Sequence, residues 1–207
     1  MKIIKPYYEI LTNLNGEEIL KHLELCGRVC YKSEERITEG SAEKFLRAIL
    51  ARGHEAVLEH YSFTVRFVVD RGISHEIVRH RLASYCQESS RYCNYTQGKF
   101  GGEITVIQPL FFAENSMQYY DWRDACQIAE NRYFSLLNSG AKPEEARDVL
   151  PTSLKTELVM TANIREWRHF LKLRTAPAAH PQIREVTIPL LHELQGKVPV
   201  LFDDITI

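Results

Sequence analysis

Patterns of apolar residues along the chain predict a single α+β domain over residues 1–207. Residues 61–70 alternate apolar and polar side chains, as a strand with one buried face does. Residues 113–138 instead carry apolar side chains at helical spacing. No low-complexity linker or internal repeat interrupts the chain. Several helices with a few strands in 207 residues are typical of one domain with a sizeable core.

Glycine, proline and capping side chains indicate where the other elements begin and end. Ser41 can cap a helix that ends near Gly53, and Pro143 followed by two acids favours a helix start. Asn163 with Glu166 three residues on has the pattern of a capping box. In the first half of the chain, the sequence predicts a strand at 1–11, helices at 16–31 and 41–53, the strand at 61–70, and a helix opened by Gly72 that carries 73–84. In the second half it predicts a strand that Pro109 stops, the helix at 113–138, a short helix from Pro143, a helix that starts at Asn163, and a last helix at 182–195.

Composition and charge exclude several classes of protein. The chain has 26 basic and 27 acidic residues, a formal net charge of −1, whereas a general nucleic-acid binder has a basic balance. No apolar run is long enough to cross a membrane, and the N-terminus lacks a signal-peptide core. The five cysteines include no C-x-x-C pair. We therefore expect a reduced, cytoplasmic protein that binds neither nucleic acid nor membrane.

Two histidine-containing segments resemble metal motifs without meeting their spacing. A zinc protease needs H-E-x-x-H, with histidines at i and i+4. In "HEIVRH", residues 75–80, Arg79 stands at the second position and repels a cation. In "HEAVLEH", residues 54–60, the histidines are six apart. The chain also lacks G-x-G-x-x-G and G-x-x-x-x-G-K-[ST]. We predict no metal site, no Rossmann turn and no P-loop.

The segment "RHRLASYCQESSRY", residues 79–92, has the composition of an anion site. The triplet Arg79 to Arg81 lies between apolar residues, so part of it should approach the core. A buried arginine needs anionic or carbonyl partners. The following Ser89, Ser90 and Arg91 can cradle a phosphate through hydroxyl, N–H and guanidinium groups. Taken alone, the segment indicates an anion and leaves a polar surface loop open.

A second group of basic residues lies in "NIREWRHFLKLR", residues 163–174. Trp167, Phe170 and Leu171 form an apolar stripe that Arg174 extends at helical spacing. An arginine in that place either reaches outward to water or points into a cleft. Arg165 and His169 stand at i and i+4 on another face of the same helix.

Together these segments resemble the flavin-dependent thymidylate synthases. Their signature is R-H-R, then seven residues, then serine, and Ser89 stands at that spacing after Arg81. The segments "GHEAVLEH", "ARDVLP", "NIREW" and "FLKLR" resemble further family segments in the family's order. The resemblance covers nearly the whole chain.

The resemblance implies a fold, an activity and an assembly. The fold would be α+β, with a central, mostly antiparallel sheet flanked by helices. The protein would be a methyltransferase that converts the small-molecule nucleotide dUMP to dTMP. Methylenetetrahydrofolate would give the methylene, and FAD reduced by NADPH would give the hydride. It would work as a homotetramer with active sites at subunit interfaces.

The resemblance also implies roles for individual residues. Arg174 would be catalytic, because a cation near N3 of uracil stabilises the ionised base. No enzyme thiolate is needed, so Cys86 is not expected to attack, and Ser89 would bind substrate. The dUMP site would comprise Glu76, Arg79, Gln87, Glu88, Ser89, Ser90, Arg91, Arg147 and Arg174. The FAD site would comprise His54, Glu59, Arg79, His80, Arg81, Gln87, Asn163, Arg165 and His169.

Some positions depart from the family pattern and leave more than one function open. The departures are Ala56, Cys86, Gln87, His169, Ala178, His180 and Gln182. Because Gln87 stands where glutamate is common, the substrate can be another pyrimidine nucleotide such as UMP. The same arginines would also serve a non-catalytic nucleotide- or RNA-binding module, and surface arginines would fit a structural oligomerisation domain.

Overall fold

The computed structural model describes residues 1–98 and 101–207, and it confirms an α+β fold with an antiparallel sheet. The helices are α1 (Gly16–Val29), α2 (Ser41–Ala51), α3 (Arg71–Ile77), α4 (Met117–Asn138), α5 (Pro143–Ala146), α6 (Ile164–Arg174), α7 (Pro181–Lys197) and α8 (Pro199–Phe202). The strands are β1 (Lys2–Ile4), β2 (Tyr7–Ile10), β3 (Ser62–Asp70), β4 (Ala83–Gln87), β5 (Thr105–Ile107) and β6 (Lys155–Asn163).

The chain divides into two compact units. The first unit comprises Met1–Tyr7, Phe67–Arg79 and Cys86–Val159, and the second unit comprises Tyr8–Arg66, His80–Tyr85 and Met160–Ile207. The larger sheet has the strand order β2-β3-β6-β4, and each of these strands contributes residues to both units. The segment with the composition of an anion site, residues 79–92, is therefore shared between the units.

The first unit has its own apolar core around α4. Strand β1 pairs with β5 in parallel, with Ile3 opposite Val106. Val106 lies in a buried cluster with Tyr133 of α4 and Leu154. The Tyr133 and Tyr95 rings pack 5.6 Å apart, centroid to centroid. These contacts fix the start of β6 and the loop that contains Tyr95, which follows the predicted site residues Glu88 to Arg91.

The second unit is built around α6. The Trp167 indole stacks on Phe63 of β3 at 4.8 Å between centroids, and its N–H donates to the Phe63 carbonyl at 3.1 Å. The N–H of Ile164 donates to the Tyr61 carbonyl at 2.9 Å. Asn163 caps α6, since its side-chain oxygen accepts from the Glu166 N–H at 2.9 Å. The capped start predicted at Asn163 is confirmed.

The sequence prediction was wrong in the segment after α3. The helix expected over residues 73–84 ends at Ile77, and Ala83–Gln87 forms strand β4. Leu82 has a φ of 68°, a left-handed conformation that neither a helix nor a strand continues through. The partner of β4 is β6, about seventy residues later in the chain, and no strand was predicted there. Local periodicity does not detect such a long-range pairing.

Two smaller boundaries also differ from the sequence prediction. The strand expected at 1–11 is two short strands that stop on either side of Lys5 and Pro6, because proline has no N–H for a ladder. Ser41 is the first residue of α2 rather than its cap, which is Gly40 with a φ of 74°. The Ser41 hydroxyl instead donates to the Glu24 carboxylate at 2.7 Å. Nowhere in the described ranges is a helix both long and apolar enough to span a bilayer.

Candidate active site

Most of the predicted dUMP residues belong to the first unit, and most of the predicted FAD residues belong to the second. Eight of the nine predicted dUMP residues belong to the first unit, and only Arg174 belongs to the second. Seven of the nine predicted FAD residues belong to the second unit, and Arg79 and Gln87 belong to the first. Within residues 79–92 the change of unit falls after Arg79 and again after Tyr85.

The loop after β4 in the first unit is held by a compact set of hydrogen bonds. The Glu88 N–H donates to the Glu157 carbonyl at 2.9 Å. Lys155 lies between the Glu88 and Glu157 carboxylates, at 2.8 and 2.9 Å. These carboxylates raise the pKa of Lys155 even though its burial acts to lower it. The N–H of Tyr92 donates to the Ser89 carbonyl at 3.1 Å, which closes a tight turn over the two serines.

Gln87 is fixed at its amide nitrogen. This nitrogen donates to the Ser74 hydroxyl at 2.9 Å and to the Thr156 hydroxyl at 3.3 Å. The Gln87 carbonyl oxygen is consequently oriented away from those two hydroxyls and is an acceptor for a ligand hydroxyl. A glutamate could not donate these two bonds, so the glutamine at this position has a structural consequence.

Ser90 and Arg147, both predicted from the sequence, are brought together in the first unit. Ser90 is buried, and an Arg147 Nη donates to its hydroxyl at 3.3 Å. Both line a cavity of about 290 Å³. Arg91 lies at the surface, with its Nε 3.6 Å from a Glu144 carboxylate oxygen. Glu76 lies half-buried in α3, and Arg79 is exposed just after it.

Arg174 and His80 form the centre of the second unit's predicted site. The Arg174 Nε donates to His80 Nε2 at 2.9 Å. Burial, with the neighbouring Arg174 and His169, lowers the pKa of His80 to about 4. At neutral pH the His80 ring is uncharged, and its Nε2 must be the acceptor, so the proton lies on Nδ1. Nδ1 faces a Glu166 carboxylate oxygen at 3.7 Å.

The surroundings of His80 complete this arrangement. Its ring packs edge-on against Phe170, with centroids 4.8 Å apart, and lies 5.8 Å from the His169 ring. Burial raises the pKa of the Glu166 carboxyl. Ligand atoms of His80, Glu166 and His169 lie within 4.8 Å of one another, a spacing that a metal ion can also bridge. The prediction of no metal site, drawn from other segments, stays a prediction.

The remaining predicted FAD residues have other contacts than Arg174 and His80 in the described part of the chain. An Arg165 Nη donates to Glu59 at 2.6 Å, and its Nε lies 3.8 Å from Glu55. His54 Nδ1 contacts the Tyr31 hydroxyl at 3.3 Å. The Asn163 side-chain oxygen is engaged in capping α6. Arg81 is exposed, and its side chain makes no hydrogen bond or ion pair within residues 1–98 and 101–207.

Sequence comparisons place the chain in a known group. It matches the family model described as thymidylate synthase complementing protein over residues 13–200. The flavin-dependent thymidylate synthase of Geobacter sulfurreducens is 33% identical over 187 residues, which cover 87% of this chain and 79% of that protein. The one of Pyrococcus furiosus is 37% identical over 164 residues, which cover 79% of this chain and 66% of that protein. The chain belongs to the flavin-dependent thymidylate synthase family.

A solved structure has a fold similar to that of this flavin-dependent thymidylate synthase family member. The solved structure is that of a UMP/dUMP methylase, PolB, from Streptomyces cacaoi, bound with 5-Br dUMP. The likeness covers 98% of this chain and 96% of that chain, with a TM-score of 0.78 and 24% identity. At that identity the comparison shows the fold.

Sequence reasoning missed two residues that line the cavity beside Ser90 and Arg147. Arg71 and His75 of α3 line the same cavity as Ser90 and Arg147. Arg71 directly follows β3, and Asp70 before it caps α3 by accepting from the Ile73 N–H at 2.8 Å. A basic residue at the end of a long predicted strand was the available signal. Nothing local in the sequence indicated that it would lie beside Arg147.

Proposed function

We propose that this chain catalyses the reductive methylation of dUMP to dTMP, with methylenetetrahydrofolate as carbon donor and NADPH as the source of reducing equivalents. Family membership supports this activity. The observation that carries the proposal is the buried, neutral His80 that accepts from Arg174. Because His80 is a neutral acceptor, it holds the Arg174 guanidinium without adding a negative charge beside it. This suits a guanidinium that must stabilise an anion.

Arg174 would act on the uracil ring. Uracil C5 is a poor nucleophile until electron density is drawn into the ring, and a cation near N3 and its neighbouring carbonyls stabilises the ionised base. His80 fixes the Nε end of the guanidinium at 2.9 Å, so its orientation is set before substrate binds. The half-buried position of Arg174 strengthens the interaction, since low dielectric favours it.

The second unit's side chains fit a flavin. His80 Nδ1 is buried beside a Glu166 carboxylate oxygen at 3.7 Å and has no hydrogen-bond partner in the described part of the chain. Arg81 and Arg165 are exposed and suit a diphosphate. When bound, FAD supplies the hydride that completes the methyl group. Together with His54, Glu59, Asn163 and His169, these side chains would hold and orient it.

The first unit would hold the nucleotide. Ser89, Ser90, Arg91 and Arg147 would bind the phosphate, and the Gln87 carbonyl oxygen would accept from the sugar. Glu76, Arg79 and Glu88 complete the proposed dUMP set. No step in this scheme needs an enzyme thiolate, so Cys86 has no assigned part.

The proposed assembly follows the family resemblance, and the proposed location follows the cysteines. We propose a homotetramer of one catalytic domain per chain, with active sites at subunit interfaces, working in the cytoplasm. The five cysteines are free thiols, as a reducing compartment favours. Light scattering after gel filtration tests the assembly, because a tetramer has four times the 24.0 kDa chain mass.

A second substrate has one specific observation behind it. Gln87 stands where the family often has glutamate, and its carbonyl oxygen is an acceptor for a sugar hydroxyl. The solved PolB structure is that of a UMP/dUMP methylase. Comparing turnover of dUMP and UMP by the same preparation distinguishes the two substrates. Family membership disfavours a non-catalytic binding module or an oligomerisation domain.

The colour of the protein provides the first test. We expect the purified protein to be yellow or to take up FAD, and NADPH to bleach it in the presence of dUMP. Adding methylenetetrahydrofolate should then produce dTMP. A colourless protein that FAD cannot load would contradict the proposal.

A further inference from the structure

The cavity of about 290 Å³ in the first unit has one feature that the proposed site does not use. Its walls include Ser90 and Arg147, which are proposed dUMP residues, and also Arg71 of α3. Pockets that take whole drug-sized molecules are roughly 300–1,000 Å³. The volume therefore suits part of a ligand, such as a phosphate group with the adjoining sugar carbon.

Within residues 1–98 and 101–207, Arg71 and Arg147 are half-buried cations without an anionic partner. Over these ranges the Arg71 side chain makes no hydrogen bond or ion pair, and Arg147 donates only to the neutral Ser90 hydroxyl. Partly buried arginines elsewhere differ, since Arg28 pairs with Glu24 at 2.7 Å. An unpaired charge withdrawn from water is unfavourable unless a ligand supplies the counter-charge.

The backbone of Arg71 is fixed to the same wall of the cavity. Its N–H lies 3.1 Å from the carbonyl oxygens of both Thr152 and Leu154, which also line the cavity. Asp70 before it caps α3. The start of the Arg71 side chain is therefore held in place before any ligand arrives, so less freedom is lost on binding.

We propose that Arg71 is a further phosphate-binding residue of the nucleotide site, acting beside Arg147 and Ser90; this rests on the proposed function. Two guanidiniums match a phosphate monoester, which carries a charge of about −1.5 to −2 at pH 7. Asp148 also lines the cavity and disfavours a more highly charged group. The flavin diphosphate is the other source of phosphate. However, none of the nine predicted FAD residues lines this cavity, so the monophosphate is the assignment.

The experiment compares ligands with and without phosphate on the FAD-loaded protein. We would measure binding of dUMP and of deoxyuridine by calorimetry for the wild type and for Arg71→Gln. Losing a charged hydrogen-bond partner should weaken dUMP binding about 10- to 100-fold. Deoxyuridine binding should not change. Arg71→Lys keeps the charge but not the bidentate geometry, so its loss should be smaller.

A matched control and a flavin arm make the result decisive. Arg132→Gln removes an exposed arginine of α4 in the same unit and should bind dUMP as the wild type does. The apoprotein of Arg71→Gln should take up FAD as well as the wild-type apoprotein does, and the same should hold for riboflavin. If Arg71→Gln weakens the binding of FAD but not that of riboflavin or dUMP, the cavity belongs to the flavin and the proposal is overturned. Equal loss of dUMP and deoxyuridine would indicate a structural role and also overturn it.

The failure of this inference is separable from failure of the proposed function. Wild-type affinity for dUMP in Arg71→Gln, with dTMP still produced, removes Arg71 from the site and leaves the activity standing. A wild-type protein that binds neither FAD nor dUMP removes the function, and the phosphate assignment with it.

Discussion

Two pairs of arginines can be compared by their partners, Arg165 and Arg168 of the second unit and Arg71 and Arg147 of the first. In the second unit, Arg165 pairs with Glu59 at 2.6 Å, and the buried Arg168 pairs with Asp204 at 2.6 Å through both terminal nitrogens. In the first unit, Arg71 and Arg147 line a cavity and have no carboxylate partner among residues 1–98 and 101–207. A paired arginine has its position and charge settled by the fold, whereas an unpaired one retains its charge for a ligand.

This contrast suggests how one chain can hold two phosphate-bearing ligands. A flavin brings a large ring system whose burial contributes to affinity, so its site can include Arg165, which a carboxylate already holds, beside the exposed Arg81. A nucleotide monophosphate has less apolar surface, so its site depends more on open positive charge. Arg174 of the second unit donates from its Nε to the neutral His80.

The largest effect should come from removing Arg174. Arg174→Ala should lower dTMP formation by about 100- to 1,000-fold, because the ionised uracil loses its stabilising cation. Single-turnover rates at saturating dUMP, on FAD-loaded protein, measure the loss. Arg174→Lys restores a charge without the planar fork and should recover part of the rate. Near-normal turnover in the alanine variant, with the oligomer unchanged, would refute the catalytic role.

A paired arginine should instead affect stability. Asp204→Asn leaves the buried Arg168 with a weaker partner, and we expect a loss of about 2 kcal/mol in the free energy of unfolding. That is below the roughly 3–5 kcal/mol of a fully buried pair, because the Asp204 side chain is 52% exposed. Denaturant unfolding measures it, with the exposed neighbour Asp203→Asn as control. Equal stability of the two variants would show that the pair contributes nothing.

The same pair gives a pH dependence with a definite sign. Arg168 holds the pKa of Asp204 below its ordinary value near 3.8. The carboxylate therefore stabilises the fold at all pH values above that, and the contribution is lost as the pH falls through the lower, folded-state pKa. Asp204→Asn should remove this strongly acidic step from the stability profile.

The sequence predicted local features of the fold and missed long-range ones. The start of α6 follows from Asn163 and Glu166 alone, since a capping interaction spans three residues. Strands β4 and β6 depend on pairing across about seventy residues, and the β4 residues were predicted as helix. Their intrinsic preferences could not reveal the partner.

The candidate site shows the same limit. A family pattern can nominate Ser90 and Arg147 separately, and the fold then places them 3.3 Å apart. Arg71 belongs to no motif, and its position depends on carbonyls of Thr152 and Leu154, about eighty residues away in the chain. Whether an arginine has a carboxylate partner is likewise a property of the folded chain, which is why the difference between Arg165 and Arg71 was invisible in the sequence.

A smaller, pH-dependent effect should come from His80. Its pKa is about 4 in the fold against an ordinary 6.5, so the unfolded chain binds the proton first as the pH is lowered. Stability should therefore fall between pH 6.5 and about 4, by roughly 1–3 kcal/mol. Arg174 and His169 disfavour the charged ring, whereas the facing Glu166 would favour it when ionised.

The His80 prediction has a matched control. His80→Gln should flatten the stability profile between pH 6.5 and 4, whereas His192→Gln, at an exposed histidine of α7, should not. Chemical denaturation at fixed ionic strength gives both profiles. A wild-type profile that stays flat across this range would mean that His80 takes up its proton in the fold as readily as in the unfolded chain. Arg174 would then face a cation at the acidic end of the range rather than a neutral acceptor throughout it.

The smallest effect should come from Cys86, which lies exposed on β4 in the first unit. If Arg174 activates uracil electrostatically, Cys86→Ala removes only surface contacts and should change turnover by less than about twofold. The turnover of Cys86→Ala should be compared with that of Arg174→Ala in the same assay. A loss as large as that of Arg174→Ala would mean that a thiolate attacks the ring. The catalytic group would then belong to the first unit, whose arginines would serve the reacting base as well as its phosphate.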